Sequence, residues 1–271
     1  MTFDGSQSDY FGPAMQTPGS TVLTLSDEGG SGEHAACASV LDGAGSGQYR
    51  RVIGWSKGGA AHNQTITLDL PLRTPVDETS LIQLGTCHMQ MIFYDNYYAD
   101  GGAVQVIGDG QDIIVADTRF ERTEGLYAWG RSSSHNGFGA NVRVQFIGNT
   151  VIEGNHLWNY NGSYPYGYQP LGPASKTAEP YWMGVPGGGQ YGSQFQGAIN
   201  HNIVLQRNVF RSNAGIAFLS NTLNGLIEGN TIVNSSVGIN ITALLLQPGH
   251  PFNGQNVVKH VTVVNNDVHV S

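Results

Sequence analysis

Apolar and polar positions alternate along residues 203–242, and the alternation comes in two matching copies. Ile203–Val–Leu–Gln–Arg–Asn208–Val–Phe210 corresponds to Gly225–Leu–Ile–Glu–Gly–Asn230–Thr–Ile232, and the two asparagines are 22 residues apart. Each copy is followed by a glycine and a short apolar stretch, Ile216–Leu219 and Ile239–Thr242. A period of two predicts short strands with one face turned inward. A fixed period of this size predicts a stacked repeat, here with three strands per unit and no helix. Asn208 and Asn230 fall among the inward residues. An asparagine tolerates a tight bend, and its amide can bond an identical amide one layer away.

A turn of parallel strands with an inward Asn at one corner is a coil of a right-handed parallel β-helix. Over roughly residues 80–271 the pattern resembles the pectate-lyase-like β-helix superfamily. That resemblance implies an all-β fold, a right-handed parallel β-helix with three-stranded coils of about 22 residues. It also implies action on glycans, since the superfamily consists mostly of polysaccharide lyases, hydrolases and epimerases. The corner residues phase as Asn96, Thr118, Asn149, Asn208, Asn230 and Asn266. Three residues before the corner stand Phe93, Val115, Phe146, Leu205, Ile227 and Val263; two after it stand Tyr98, Phe120, Val151, Phe210, Ile232 and Val268.

Corner spacings of 22, 31, 59, 22 and 36 residues locate the excess chain in insertions at 130–143, 161–202 and 243–260. All three are expected to leave from one corner, and insertions gathered on one side of a solenoid usually build its binding side. The strand feeding them is expected at 104–107, 126–129, 157–160 and 216–219. Parallel stacking then sets Tyr127 against Trp158 and Trp129 against Tyr160. Four aromatics on an outer surface form either a platform for sugar rings or a satellite core under the long insertion. That insertion is rich in Tyr, Gly and Pro, carries Tyr181 and Trp182, and suits a neutral, hydroxyl-rich ligand.

Charges gather at the opposite corner. Asp100, Arg122 and Glu153 fall in register, Glu124 lies two positions beyond Arg122, and His156 precedes the next strand. Arg131 and His135 lie in the facing insertion. Glycoside hydrolysis needs two carboxyls, about 5 Å apart for retention and about 6.5–9.5 Å for inversion. Glu124 and Glu153 on adjacent coils suit either geometry, with Glu124 the stronger acid–base candidate. The bland alternative is a surface ion-pair ladder of Asp100, Arg122 and Glu153. β-Elimination on a uronate would instead use Arg122 or Arg131 to neutralise the carboxylate and His135, His156 or a tyrosine as base. No cofactor is implied. Calcium would suit a lyase, but no Asp–Asp pair on this strand makes a strong calcium site. A non-catalytic glycan-binding module, such as an adhesin or tail-spike segment, fits the aromatic strip equally well.

Composition narrows the classes. A net charge of −8, with 12 Lys and Arg spread along 271 residues, argues against a nucleic-acid partner. No apolar run is long enough for a membrane span. Cys37 and Cys87 lack metal-ligand spacing and read as buried free thiols. Residues 1–20, rich in Gly, Ser, Pro and Asp, read as a poorly structured lead-in without a signal-peptide core. Residues 21–271 read as a single β-helix domain, with strands at 21–25, 51–55 and 65–70 as an irregular layer before coils that become regular from about 80. The last coil is expected to be capped by further sequence or another subunit. The polymeric substrate class implies a secreted or periplasmic protein.

Overall fold

The computed structural model describes residues 2–4, 8–26, 30–58, 64–101, 104–107, 110–123, 126–129, 131–132, 138–139, 141–153, 181–186, 190–191, 194–195, 200–212, 214–219, 222–235, 238–242 and 258–270. Within them the chain is all-β, with no helix. Strand β1 is Thr2–Asp4. Six strands follow: β2 (Ser8–Gln16), β3 (Val22–Leu25), β4 (Cys37–Asp42), β5 (Tyr49–Ser56), β6 (Thr65–Leu68) and β7 (Leu81–Gly85). They close an antiparallel barrel in the order β2-β3-β6-β5-β4-β7.

The chain then winds through three parallel sheets in strict rotation. The first two turns comprise β8 (His88–Tyr94), β9 (Tyr97–Ala99) and β10 (Val104–Ile107), then β11 (Gly110–Ala116), β12 (Arg119–Glu121) and β13 (Leu126–Trp129). A hairpin, β14 (Arg131–Ser132) with β15 (Phe138–Gly139), precedes β16 (Val142–Ile147), β17 (Thr150–Ile152) and β18 (Tyr181–Pro186). A second hairpin, β19 (Gln190–Tyr191) with β20 (Gln194–Phe195), precedes β21 (Asn200–Gln206), β22 (Val209–Arg211) and β23 (Ala214–Leu219). Strands β24 (Thr222–Glu228), β25 (Thr231–Ser235), β26 (Ile239–Thr242), β27 (Val258–Val264) and β28 (Asp267–Val270) complete the winding. Sheet 1 contains β8, β11, β16, β21, β24 and β27; sheet 2 contains β9, β12, β17, β22, β25 and β28; sheet 3 runs β1-β10-β13-β18-β23-β26.

Both inward rows expected from the alternation are present. Val115, Phe146, Leu205 and Ile227 stack in sheet 1 and are fully buried, as are Phe120, Phe210 and Ile232 in sheet 2. Stacked apolar side chains from successive layers form one continuous core, with Val104, Val106, Leu126 and Ala128 of sheet 3 on its third side. The corner asparagines form a continuous ladder. The Asn149 backbone N–H donates to Asn208 Oδ1 at 3.0 Å, and Asn208 N–H to Asn230 Oδ1 at 2.9 Å. Each Nδ2 also reaches a carbonyl one coil back, Asn149 to Val115 and Asn208 to Phe146. These bonds satisfy main-chain groups that the corner removes from the sheet ladders. Thr118 joins the ladder by accepting from Asn96 N–H through its hydroxyl.

A second regularity lies in the backbone. Residues 90, 112, 143, 202, 224 and 260 all have φ between 54° and 58°, and the coils bring them into register near the starts of the sheet 1 strands. A left-handed residue reverses the alternation there. The preceding residue therefore turns out of the solenoid and meets the barrel. Val142 and Leu223 pack on Leu41 and Tyr49 of the barrel, while Gln111 Nε2 donates to Ser39 Oγ. Tyr49 donates to Asp112, and the Arg143 guanidinium lies 4.8 Å over the Tyr49 ring while its Nη2 donates to Asp112 at 2.7 Å.

Residues 2–4 and 8–16 are strands of sheet 3 and of the barrel, not an unstructured lead-in. The inward row of β2 includes Tyr10, Gly12, Ala14 and Gln16, whose weak hydrophobicity hides a strand from the pattern. Residues 8–85 build a closed barrel rather than an irregular layer of the coiled domain. Cys37 and Cys87 form a disulfide with Cα atoms 6.2 Å apart, not two free thiols. Pairing of β4 with β7 sets Cys37 opposite Gly85, which delivers Cys87 two residues later.

Candidate functional site

Long connections join sheet 3 to both of its neighbouring sheets. Between sheet 3 and sheet 1 the chain makes long excursions at 130–141, 187–199 and 243–257, against two-residue connections at 108–109 and 220–221. Between sheet 2 and sheet 3 it makes one, at 153–180. The expected single insertion 161–202 is therefore split by β18. Its first part precedes β18 in the chain and its second part follows it.

Strand β18 also changes the neighbours within the sheet. Its Gly184 lies opposite Tyr127 of β13 and Ala217 of β23. The place expected for residues 157–160 is taken by Tyr181–Pro186, so Tyr127 stacks on Gly184 rather than on Trp158. Leu126 and Ala128 of β13 are fully buried in the core, with Val104 and Val106 beside them. Tyr127 and Trp129 occupy the alternate positions, in register with Gln105 and Ile107. On β18 the positions in phase with Gly184 are Trp182 and Pro186, and Trp182 pairs with Gly215. The glycines at 184 and 215 bring no side chain to the places beside Tyr127 and Trp182. Trp158, Tyr160, His156, Glu124 and His135 lie outside the described residues. Arg131 opens the first hairpin, at β14, opposite Gly139.

The charged corner between sheets 2 and 3 is well defined. Asp100, Arg122 and Glu153 share left-handed φ values of 52°, 50° and 49°, and each N–H bonds a carbonyl of the next coil. Their first task is thus to turn the chain. Arg122 clamps Asp100 through Nε and Nη2, the latter at 2.8 Å, and its Nη1 lies 3.7 Å from Glu121. The second carboxylate beside Arg122 is Glu121, from its own strand, where Glu153 was expected. Arg119 also bonds Glu121, which accepts from the Tyr97 hydroxyl at 2.8 Å. The Asp100 bond holds the guanidinium above its ordinary value, and Arg122 in turn holds Asp100 below the usual carboxylate range. Glu121 is held low by Tyr97 and Arg119. Glu153 is exposed at the same corner. Among the described residues, no group of three or more His, Cys, Asp or Glu side chains is placed to hold a metal ion.

The periodic reading missed a second amide ladder at the other end of the sheet 1 strands. Asn141 and Asn200 are fully buried; Asn141 Nδ2 donates to Asn200 Oδ1 at 2.9 Å, and Asn141 Oδ1 accepts from Gly110 N–H at 3.1 Å. Their Nδ2 atoms also reach sheet 3, Asn141 to Val106 O at 3.3 Å and Asn200 to Ala128 O at 3.2 Å. The spacing to the first ladder is a constant eight residues: Gly110 to Thr118, Asn141 to Asn149, Asn200 to Asn208 and Thr222 to Asn230. That recurrence is the sequence signal for it.

No family model matches the chain, and no curated protein does. Among solved structures the chain is similar to the tailspike protein gp49 from Pseudomonas phage LKA1, with 9% sequence identity and a TM-score of 0.28. The likeness covers 89% of this chain and 47% of that one, so the chain spans about half the length of this neighbour.

Proposed function

We propose that the protein is a right-handed parallel β-helix of the pectate-lyase-like kind that holds a polysaccharide or oligosaccharide along sheet 3 and cleaves it, by glycoside hydrolysis in preference to β-elimination. The observation that carries this reading is the length of chain inserted on both sides of sheet 3, before β18 and after β13, β18 and β26, since a parallel floor served by long insertions suits an extended polymer. Tyr127, Trp129 and Trp182 occupy the non-core phase of that floor, Tyr181 stands in the alternate phase with Met183 and Val185, and Trp158 and Tyr160 precede β18 in the sequence. Aromatic faces of this kind cover the apolar face of a sugar ring while their polar edges bond its hydroxyls. Glu124 takes the acid–base role, with Glu153 as the second carboxyl. Arg122, Arg131, His135 and His156 supply contacts to the substrate, or the neutralising and basic groups of the elimination alternative. The reading needs no cofactor and implies an exported protein.

The exposure of Glu153 favours a second reading, in which the same sheet binds glycan without cutting it. Incubation with a panel of neutral and uronate polysaccharides separates the readings. New reducing ends without ultraviolet absorbance mean hydrolysis, and absorbance from an unsaturated uronate means elimination. Retention on an immobilised glycan without either product means a binding module. Neither product nor retention across the panel overturns the proposal.

A further inference from the structure

The two buried amides at the return of the insertions differ in kind from the corner ladder, although both are wired alike. Asn141 ends the first hairpin-bearing insertion and Asn200 ends the second. In the coils with two-residue connections the same position holds Gly110 or Thr222. Asparagine thus appears where a hairpin returns to sheet 1 and is absent where the chain turns directly. Gly110 is required by this arrangement. A Cβ there would lie 2.3 Å from Val106 Cγ1 and 2.9 Å from Asn141 Oδ1, displacing the amide that bonds its N–H. The hairpins themselves touch: β14 lies against β19, and β15 lies against barrel strands β2 and β7.

A direct two-residue turn fixes its own ends, because few backbone paths join them. An excursion of ten or more residues does not, and its return must be fastened by something else. Asn141 and Asn200 supply the fastening through three kinds of bond: to the preceding coil in sheet 1, to a sheet 3 carbonyl and to each other. We propose that Asn141 and Asn200 are positioning residues for the two hairpins that follow sheet 3, tying their return to the closed coil so that hairpins and sheet keep one geometry. Their effect on a ligand rests on the glycan reading above; their effect on the hairpins does not. The insertion 243–257 returns at Val258, which stands in the same register without an amide.

The test uses Asn200→Thr and Asn141→Ala in the full chain, with Asn230→Ala as a control in the other ladder. Threonine is the residue that the next coil carries at this position, fully buried at Thr222, so Asn200→Thr keeps a coil that closes. Limited chymotrypsin digestion far below the melting temperature is followed by mass spectrometry. Cleavage after Tyr191 and Phe195 is expected to rise about tenfold in Asn200→Thr, as the opening equilibrium of the hairpin shifts by one lost hydrogen bond. Cleavage after Phe138 is expected to rise in Asn141→Ala. Asn230→Ala should lower the melting temperature and leave these rates near wild type. Affinity for a polysaccharide retained by the wild type should fall in Asn200→Thr and hold in Asn230→Ala. Hairpin cleavage that is unmoved, or that rises only together with cleavage across the whole coil, overturns the proposal. If the wild type retains no glycan, the glycan reading fails while the cleavage result still decides this one.

Discussion

Replacing Asn208 by leucine tests the physical basis of the solenoid most directly. Asn208 is fully buried, and its amide serves four bonds. Its Oδ1 accepts from Asn149 N–H at 3.0 Å and Asn149 Nδ2 at 3.1 Å, and its Nδ2 donates to Phe146 O and Asn230 Oδ1, both at 2.9 Å. Two of the partners keep other bonds: Asn149 Nδ2 still reaches Val115 O, and Asn230 Oδ1 still accepts from Asn208 N–H. The Asn149 N–H and the Phe146 lone pair lose theirs. Each buried orphan costs about 1–3 kcal/mol, so the pair costs about 2–6 kcal/mol. Burying the leucine returns at most about 1.5–3 kcal/mol. A net loss of up to about 4 kcal/mol follows, about 2 kcal/mol at the middle of both ranges and equivalent there to a melting temperature lower by roughly 4–8 °C for a chain of this size. Urea and thermal unfolding followed by circular dichroism measure it. The same substitution at Asn96, an exposed end rung, should cost far less. A loss below about 0.5 kcal/mol at Asn208, or equal losses at both rungs, would refute the ladder as a source of stability.

Other consequences can be checked in parallel. Burial holds the His201 imidazole below its ordinary value, against the opposing pull of Asn202 and Asp42, and its Nε2 lies 2.7 Å from Ser46 Oγ of the barrel. Because the folded-state value is depressed, this stabilisation is complete above about pH 6.5 and declines as pH falls below it. Melting curves between pH 8 and pH 5 should show that decline in the wild type and a shallower one in His201→Gln; identical slopes contradict it. Reduction of Cys37–Cys87, whose ends are 50 residues apart, should cost about 2–4 kcal/mol, read as a urea midpoint that falls in dithiothreitol, while that of Cys37→Ser/Cys87→Ser is the same with and without the reductant. Arg122→Ala should leave the melting temperature unchanged, because its pair with Asp100 is solvent-exposed; a clear drop would show a structural role. Glu124→Gln should abolish cleavage of a substrate while sparing binding, and full turnover would remove it as the acid or base.

Much of the fold was legible because stacking forces each coil to repeat the last. The corner ladder and both inward rows are where the period of 22 set them, and even Thr118 keeps the place of an asparagine by accepting from Asn96 N–H. The barrel was less legible, since six antiparallel strands of unequal length share no period. The Cys37–Cys87 pairing depends on which of those strands meet, which spacing alone does not encode. Within the candidate site the alternation identified β10, β13 and β23 but misplaced the strand between them. Residues 157–160 read Leu–Trp–Asn–Tyr, a plausible strand, whereas Tyr181–Pro186 contains Gly184 and Pro186, both poor strand residues.

That error has a single physical origin, which also explains why the chemistry of the site resists periodic reasoning. A repeat constrains the residues that stack, and insertions are by definition the residues that do not. Glu153 and Arg122 were found because they occupy a stacked corner, and the structure shows that corner duty is their first role: each adopts a left-handed φ and bonds the next coil through its N–H. Their charge is then free to vary along the stack, where Ser212 and Asn234 take the same backbone conformation without it. Register at this corner is therefore evidence for a turn and carries no weight for catalysis. Aromatic position on β13 is different in kind. Nothing in the coil requires Tyr127 or Trp129, because Gln105, Gly184, Ala217 and Asn240 serve the register of the first elsewhere in the sheet, and Ile107, Pro186, Leu219 and Thr242 that of the second. A large ring where the fold accepts any residue is explained by what lies outside the coil. Substitution of Trp129 by alanine should thus weaken retention on glycan by about 1–3 kcal/mol, as loss of a stacking platform does, with little change in unfolding. A loss of stability of about 3–5 kcal/mol with retention unchanged would place the ring in a satellite core instead.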